Sequence, residues 1–174
     1  MSVNYRKKYF LKDCIADALI ELLQKKSFEK ITVEEIIQKA GIGRATYYRN
    51  FQSKQDVLTY KIIRHWETNA EERNLRERNK FDINNALAFF EINYMIKDFL
   101  SLIYSQNQQK PLQDAFYQIM IPSEPENKTF QYRESFYASG LFGLLDQWIR
   151  NGFSETPQEM AEMLLKICQQ INLK

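Results

Sequence analysis

The sequence predicts an all-α protein, and three observations support this fold class. Apolar residues recur at spacings of three and four, the period of an amphipathic helix, and the clearest stripe predicts a first helix over about residues 6–25. Only five glycines and four prolines interrupt the 174 residues, so long helices are expected. No segment has a convincing strand pattern, and no repeat or low-complexity tract is present.

The positive charge is concentrated at the N-terminal end. The whole chain has a formal net charge of +2. Residues 1–60 contain 11 Lys and Arg against 7 Asp and Glu, a net charge of +4, whereas residues 61–174 contain 13 against 15, a net charge of −2. This asymmetry is expected if the N-terminal end meets a polyanion.

Composition and termini exclude several classes of protein. A hydrophobic content of 44% and a charged content of 26% are ordinary for a globular chain with a core. No stretch approaches a membrane span, and the N-terminus MSVNYRKKYF lacks the apolar segment of an export signal, so we expect a cytoplasmic protein. Cys14 and Cys168 form no metal-binding spacing. We expect both to be reduced, although sequence leaves a disulfide open, and we expect no metal or cofactor.

The N-terminal third contains the signals of a second and a third helix. Thr32 precedes VEEIIQKA and Glu35 follows three residues later, which is the capping box that begins a helix. Gly41 can end this helix with a left-handed C-cap. A third, short helix begins near Gly43 and runs into Phe51.

The rest of the chain is also predicted to be helical. Ser53, followed by Asp56 three residues later, predicts a long fourth helix that ends at about residue 78. Further helices are predicted over about residues 82–105, 109–120, 128–151 and 156–172, with a loop at 121–127. We predict a DNA-binding domain over residues 1–52 and a helical ligand-binding and dimerisation domain over residues 53–174, the fourth helix joining the two.

Residues 32–51 have the layout of a helix-turn-helix, whose second helix enters the DNA major groove. We expect Ile42 and Phe51 to anchor that helix, so that its other side chains face DNA. Arginine suits guanine edges or phosphate, asparagine suits adenine, and hydroxyl groups suit phosphate oxygens. Helix N-termini also attract phosphate. The predicted double-stranded DNA contacts are Thr32, Arg44, Ala45, Thr46, Tyr47, Tyr48, Arg49, Asn50 and Lys54.

The stretch ITVEEIIQKAGIGRATYYRNFQSKQDVL, residues 31–58, resembles without gaps the signature of the TetR family of bacterial transcription regulators. With the preceding helix, the resemblance covers roughly the first third of the chain. It implies DNA contacts at Arg44, Ala45, Thr46, Tyr48, Arg49, Asn50 and Lys54. Two positions depart from the family pattern: Gly43 replaces the usual capping Ser, and Asn50 replaces the usual His.

The remaining chain is similar in layout to the ligand-binding and dimerisation domain of that family. Residues 136–164, FYASGLFGLLDQWIRNGFSETPQEMAEML, resemble a subgroup of these domains that includes the regulator of dihydroxyacetone kinase operons. Some members of this subgroup act as coactivators through a partner protein. We expect an effector-controlled repressor that binds a palindromic operator as a homodimer, and a coactivator that works through a protein partner is the alternative.

Two apolar sets in the last third of the chain have more than one interpretation. Either the last two helices dimerise into a four-helix bundle or their stripes close the core of one chain. The predicted interface residues are Leu141, Leu144, Leu145, Trp148, Met160, Leu164, Ile167 and Ile171. Either an aromatic set lines a pocket for an apolar or aromatic effector, or it is core packing. The set is Phe89, Phe90, Tyr94, Phe99, Phe116 and Tyr117.

An enzyme is disfavoured by the inventory of reactive residues. The chain has one histidine, so no Ser-His or Cys-His pair is supported by local spacing. It contains no Gly-rich phosphate loop and no HExxH pattern. We therefore predict that it is not an enzyme.

Overall fold

A computed structural model describes residues 3–73, 83–121 and 126–170 of the chain. Within these residues the protein has nine α-helices, one short 3-10 helix and no strand, which confirms the all-α fold class. The 3-10 helix is Phe28–Lys30. The α-helices are α1 Val3–Leu23, α2 Val33–Ala40, α3 Arg44–Asn50, α4 Lys54–Glu72, α5 Ile83–Tyr94, α6 Lys97–Ser105, α7 Lys110–Met120, α8 Lys128–Arg150 and α9 Pro157–Gln170.

The first three helices and the 3-10 helix form a small unit, which we call the head. Helix α1 packs against α2 and α4, and α2 contacts α3. Ile15 and Leu19 of α1 lie one turn apart and are fully buried, as is Ile36 of α2. Side chains four residues apart share a helix face, so this spacing turns the apolar side of α1 towards the other helices.

Helix α4 connects the head with the C-terminal helices. Its buried residues Val57, Leu58 and Ile62 belong to the same hydrophobic core as those of the head. It also packs against α7, where Thr59 Oγ1 donates a hydrogen bond to the carbonyl of Pro111 at 3.3 Å. The core therefore continues without interruption across residues 52 and 53, and the domain boundary proposed there stays a prediction.

The C-terminal helices form a bundle in which α5 packs against α9, while α6 and α7 pack against α8. The single helix predicted over residues 82–105 is wrong: it is two helices, α5 and α6, separated by a turn at residues 95 and 96. The segment contains no Gly or Pro to mark this break. It follows from packing, because the two helices contact different partners and need different directions.

Parts of the sequence prediction lie outside the described residues. These are the end of the predicted fourth helix beyond residue 73, most of the loop at 121–127, and the predicted helical residues 171 and 172. None of the helices in the described ranges is long and apolar enough to cross a membrane.

Candidate nucleic-acid interface

Helix α2 begins with the capping box predicted from the sequence. Thr32 Oγ1 accepts a hydrogen bond from the Glu35 amide at 3.2 Å, and Glu35 Oε2 accepts one from the Thr32 amide at 2.9 Å. Lys26 pairs with the other oxygen of Glu35. The hydrogen bond from Lys26, followed by those from Thr32, lowers the pKa of Glu35 to about 2. The exposed N-terminus of α2 is therefore fixed by local polar contacts.

The turn between α2 and α3 is set by Gly41, which has the left-handed φ of 65°. The amide of Ile42 donates to the carbonyl of Ile37 at 3.2 Å, and the amide of Gly41 donates to that of Gln38 at 3.2 Å. This pair of bonds closes the end of α2 in a Schellman motif. Gly43 then serves as the N-cap of α3 without a side-chain hydrogen bond. The tight turn thus brings α3 directly against α2.

Helix α3 presents four exposed side chains on its outer side. These are Arg44, Ala45, Tyr48 and Arg49. Tyr48 is 53% exposed although it is a large aromatic residue. Neither guanidinium of this helix forms an ion pair with a residue that the structure describes. A cationic surface with uncommitted donors and one aromatic hydroxyl is suited to a phosphate backbone and base edges.

The prediction that Tyr47 contacts DNA is corrected by its position in the structure. Its side chain is completely buried, and its ring contacts those of Phe51 and Tyr48 at centroid distances of 6.2 Å and 5.4 Å. Tyr47 and Phe51 are four residues apart and therefore lie on one face of α3. A helix of seven residues needs such an anchor. Burial raises the pKa of the Tyr47 hydroxyl to about 12.

Thr46 and Asn50 are half-buried at the edge of the exposed face. The Asn50 amide nitrogen donates a hydrogen bond to the carbonyl of Thr46 at 2.7 Å. One of its two N–H donors is therefore used inside α3, while Oδ1 can still accept a bond. The pairing of this asparagine with adenine stays a prediction, as do the DNA contacts of Thr32, Thr46 and the four exposed residues of α3.

Lys54 lies in the first turn of α4, but its ammonium turns towards the 3-10 helix. Nζ donates hydrogen bonds to the carbonyls of Phe28 at 2.7 Å and Ile31 at 2.6 Å. It also stands 4.3 Å from the centre of the Phe28 ring. Burial is the largest effect on this lysine and lowers its pKa. Two of its three N–H donors are therefore engaged within the head, and the phosphate contact of Lys54 stays a prediction.

Five of the predicted dimer residues pack inside a single chain, which corrects their assignment to an interface. Leu141, Leu145 and Trp148 of α8 and Met160 and Leu164 of α9 are all buried. A side chain enclosed by its own chain cannot cover a second one. Leu144 and Ile167 are only partly buried, and Ile171 lies outside the described residues.

The surroundings of Trp148 explain this burial. Its ring stacks on Tyr94 at 5.8 Å and meets Phe90 and Phe153 edge to face at 5.5 Å and 4.9 Å. Its indole N–H donates to the carbonyl of Glu155 at 3.0 Å. Helix α8 therefore turns its strongest apolar stripe towards α5.

The predicted pocket residues belong largely to the same core. Phe89, Phe90 and Phe116 are buried, and Phe89 meets the other two rings edge to face at 5.0 Å and 5.5 Å. The other three members of the set, Tyr94, Phe99 and Tyr117, are partly buried. Ring contacts at these distances are typical of core packing. No group of His, Cys, Asp and Glu side chains in the described part of the chain could hold a metal ion.

Phe28 and Gln106 contribute to the head but were missed by sequence analysis. Phe28 is 1% exposed, and its amide donates to Oε1 of Gln106 at 2.9 Å. The isolated aromatic residue in the polar stretch KKSFEK, residues 25–30, is a signal of such an anchor. Gln106 carries no local signal, because its partner lies 78 residues away.

Two family descriptions match the chain. Residues 15–60 match the family described as bacterial regulatory proteins, tetR family. Residues 83–170, half of the chain, match the one described as transcriptional regulator C-terminal region. The first match covers the capping box, the turn and α3, and the second covers α5 to α9.

Individual relatives agree with these matches over shorter segments. The HTH-type transcriptional regulator YvkB of Bacillus subtilis (strain 168) is 39% identical over 51 residues, which are 29% of this chain and 27% of YvkB. The HTH-type dhaKLM operon transcriptional activator DhaS of Lactococcus lactis subsp. lactis (strain IL1403) is 33% identical over 58 residues, which are 33% of this chain and 31% of DhaS. The chain thus aligns with less than a third of either relative.

A solved structure supports the fold over most of the chain. The dihydroxyacetone kinase operon activator DhaS has a TM-score of 0.51 with 17% identity, over 94% of this chain and 97% of that one. At this identity the likeness concerns the fold alone. Both family descriptions are of transcription regulators. The two matching regions together show that the chain belongs to the TetR family of bacterial transcriptional regulators.

Proposed function

We propose that the protein represses transcription by binding a specific palindromic operator as a homodimer, with α3 of each copy in a major groove. The observation that carries this proposal is the exposed face of α3. Arg44 and Arg49 are exposed and make no ion pair with the described residues, and Tyr48 is 53% exposed beside them. Arginine guanidiniums and a tyrosine hydroxyl that face solvent side by side are groups able to bind phosphates and base edges.

The homodimer follows from the size of this face. A helix of seven residues reaches only a few base pairs, which is too little for a unique site in a genome. Two copies related by a two-fold axis would bind two half-sites in inverted orientation. A palindromic operator is therefore the matching DNA sequence.

The outer face of α8 is the surface that we propose for dimerisation. Tyr132 is 73% exposed and Phe136 is 58% exposed, and they lie one turn apart. Gly140 and Gly143 continue this face, and no described atom lies within 4 Å of where a Cβ would stand at either position. Exposed aromatic residues beside glycines permit close approach of a second helix. We call these four residues the α8 outer face.

The proposal also includes control of DNA binding by a small ligand bound among the C-terminal helices. Helix α4 packs against α7 and α7 against α8, so a rearrangement of the C-terminal helices would move the far end of α4. A ligand can control DNA binding only if it binds one arrangement better than the other. An apolar or aromatic molecule matches the partly buried rings of Phe99 and Tyr117.

Selection from a random-sequence duplex library tests the DNA-binding proposal. The purified wild-type protein is expected to enrich a sequence with an inverted repeat. The double variant Arg44→Ala, Arg49→Ala should enrich none, whereas Lys166→Ala, which removes an exposed cation on α9, should behave as the wild type. If folded wild-type protein enriches no sequence, direct DNA binding is overturned and the partner-dependent coactivator is favoured.

A reporter gene separates repression from activation. With the selected sequence placed across a promoter, expression of the protein is expected to lower transcription. An increase would overturn repression and favour the role that the printed name of DhaS states for that relative. The same reporter, screened with apolar and aromatic compounds, tests effector control, which fails if no compound changes the output while DNA binding is intact.

A further inference from the structure

One contact between the C-terminal helices and the head is made by a side chain that lies far from the head in sequence. Oε1 of Gln106 accepts a hydrogen bond from the backbone N–H of Phe28 at 2.9 Å. Phe28 is the first residue of the 3-10 helix, so its amide has no partner within that helix. The N-cap residue Ser27 makes no side-chain hydrogen bond to it. Gln106 therefore caps a helix of the head from a distance of 78 residues.

Gln106 is held firmly at the end of α6. Asn107 has a left-handed φ of 55°, with hydrogen bonds from its amide to Tyr104 at 3.0 Å and from the Gln108 amide to Ile103 at 2.9 Å. This is a Schellman motif with Gln106 at the C-cap. The buried Gln108 also donates from Nε2 to the carbonyl of Gln106 at 3.3 Å. These bonds fix the backbone from which the Gln106 side chain reaches Phe28.

The opposite side of the same 3-10 segment holds Lys54. The carbonyls of Phe28 and Ile31 accept bonds from its ammonium at 2.7 Å and 2.6 Å, and the Phe28 ring lies 4.3 Å below it. The Phe28 residue is consequently bonded to Gln106 through its amide and to Lys54 through its carbonyl. A shift of this residue would move two of these three groups that contact the ammonium, the Phe28 carbonyl and the Phe28 ring.

We propose that Gln106 is a positioning residue for DNA binding, which acts through Phe28 to hold the Lys54 ammonium in place for a phosphate. This inference rests on the proposed function, because it assigns Lys54 one remaining donor for a phosphate. Without Gln106 the Phe28 amide loses its acceptor, and with it the 3-10 helix loses this side-chain cap. Helix α6 thereby affects DNA affinity although it does not contact DNA.

The DNA arm of the test compares Gln106→Met with Gln109→Met. Both variants replace a glutamine of the α6–α7 connection, and the side chain of Gln109 makes no capping bond. We expect Gln106→Met to weaken binding to the duplex selected by the wild type by about 5-fold, the effect of losing the hydrogen bond between Lys54 and a phosphate. The slope of log K against log salt concentration should become shallower by about 0.9, which corresponds to one lost phosphate contact. Gln109→Met should change neither quantity.

A double-mutant cycle tests whether the effect passes through Lys54. In a Lys54→Met background, Gln106→Met is expected to cause no further loss of affinity. An undiminished 5-fold effect in that background would overturn the proposal. An unchanged salt dependence in Gln106→Met would also overturn it, because a general loss of folded protein lowers affinity without removing a phosphate contact.

A DNA-free arm separates this inference from the proposed function. Hydrogen exchange of the Phe28 amide should accelerate in Gln106→Met and stay slow in Gln106→Glu, whose carboxylate can still accept the bond. Unchanged exchange in Gln106→Met would overturn the link itself. Slow exchange in the wild type with no DNA binding would overturn the proposed function and the DNA-positioning role, while showing that the link exists.

Discussion

At the residue scale, the two adjacent tyrosines of α3 have opposite roles. Tyr47 is completely buried and Tyr48 is 53% exposed. Successive residues in a helix point about 100° apart, so one can face the core while the next faces solvent. The hydroxyl of Tyr47 has no hydrogen-bond partner among the described residues. The hydroxyl of Tyr48 belongs to the exposed surface. Substitutions at the two positions should therefore affect different properties.

Tyr47→Phe is expected to keep or increase stability. A buried polar group without a partner costs about 1–3 kcal/mol, and phenylalanine fills the same space without the hydroxyl. We expect the free energy of unfolding to rise by about 1 kcal/mol in urea titrations, with DNA affinity unchanged. A loss of stability would show that the hydroxyl is hydrogen-bonded, and a loss of affinity in the folded variant would restore Tyr47 as a DNA contact.

Tyr48→Ala should weaken DNA binding while leaving the fold intact. Exposed substitutions commonly change stability by no more than about 0.5 kcal/mol. Loss of a hydrogen bond to a charged phosphate should weaken binding by roughly 10-fold, equally for the selected duplex and for random DNA, because phosphates carry no sequence. Fluorescence anisotropy measures both affinities, and Met95→Ala, at a residue 60% exposed between α5 and α6, is the control. Equal affinity for Tyr48→Ala and wild type contradicts the contact.

At the scale of elements, α2 depends on the carboxylate of Glu35. This group closes the capping box and pairs with Lys26 from the segment that follows α1. Its pKa is lowered from 4.5 to about 2. A carboxyl group with a lowered pKa in the folded state stabilises the fold above its ordinary pKa, and this contribution is lost as pH falls through the folded value. The orientation of α2, and of α3 behind it, should be acid-sensitive for this reason.

Glu35→Gln should reduce the acid sensitivity of the protein. Glutamine can keep the capping bond but cannot pair as an anion with Lys26. The difference in unfolding free energy between wild type and variant should be constant above about pH 4.5 and shrink towards about pH 2. Urea titrations across this range measure it, with Glu34→Gln, in the same turn but outside the box, as control. A difference that does not vary with pH contradicts the ion pair.

At the scale of the whole molecule, α8 has two faces with different roles. Its inner face, which includes Leu145 and Trp148, is fully enclosed by the chain. The α8 outer face carries Tyr132 and Phe136, which remain 73% and 58% exposed. Helix-forming chains bury one stripe in their own core, so an additional exposed aromatic pair indicates a partner. We propose a second copy of the chain as that partner.

Phe136→Glu is expected to give a folded monomer. A charge at the centre of an apolar interface is left without water or a counter-charge, which should weaken dimerisation by several kcal/mol. Light scattering should report half the mass of the wild type, with an unchanged far-ultraviolet spectrum. Ser101→Glu adds the same charge at an exposed position on α6 and should remain dimeric. A wild-type monomer, or a dimer that tolerates Phe136→Glu, contradicts the α8 outer face as the interface.

The sequence by itself determined the local features of this protein. The capping boxes at Thr32 and Ser53 form as predicted, with bonds between residues three apart. Gly41 adopts the left-handed conformation expected of a helix end. Such features depend on contacts within one helical turn, so residue types at fixed spacing are sufficient to specify them. For the same reason the helix-turn-helix signature could be recognised without any knowledge of the rest of the fold.

Only the tertiary structure decided which partner each apolar stripe and each long polar side chain contacts. Periodicity identifies the stripe that contains Trp148, but the rings of Phe90 and Tyr94 are what enclose it within one chain. The same holds for Lys54, whose ammonium turned to carbonyls at least 23 residues away rather than to solvent. An apolar stripe or a long cationic side chain is satisfied by any suitable partner. The choice among partners belongs to contacts between distant segments, which spacing along the chain does not contain.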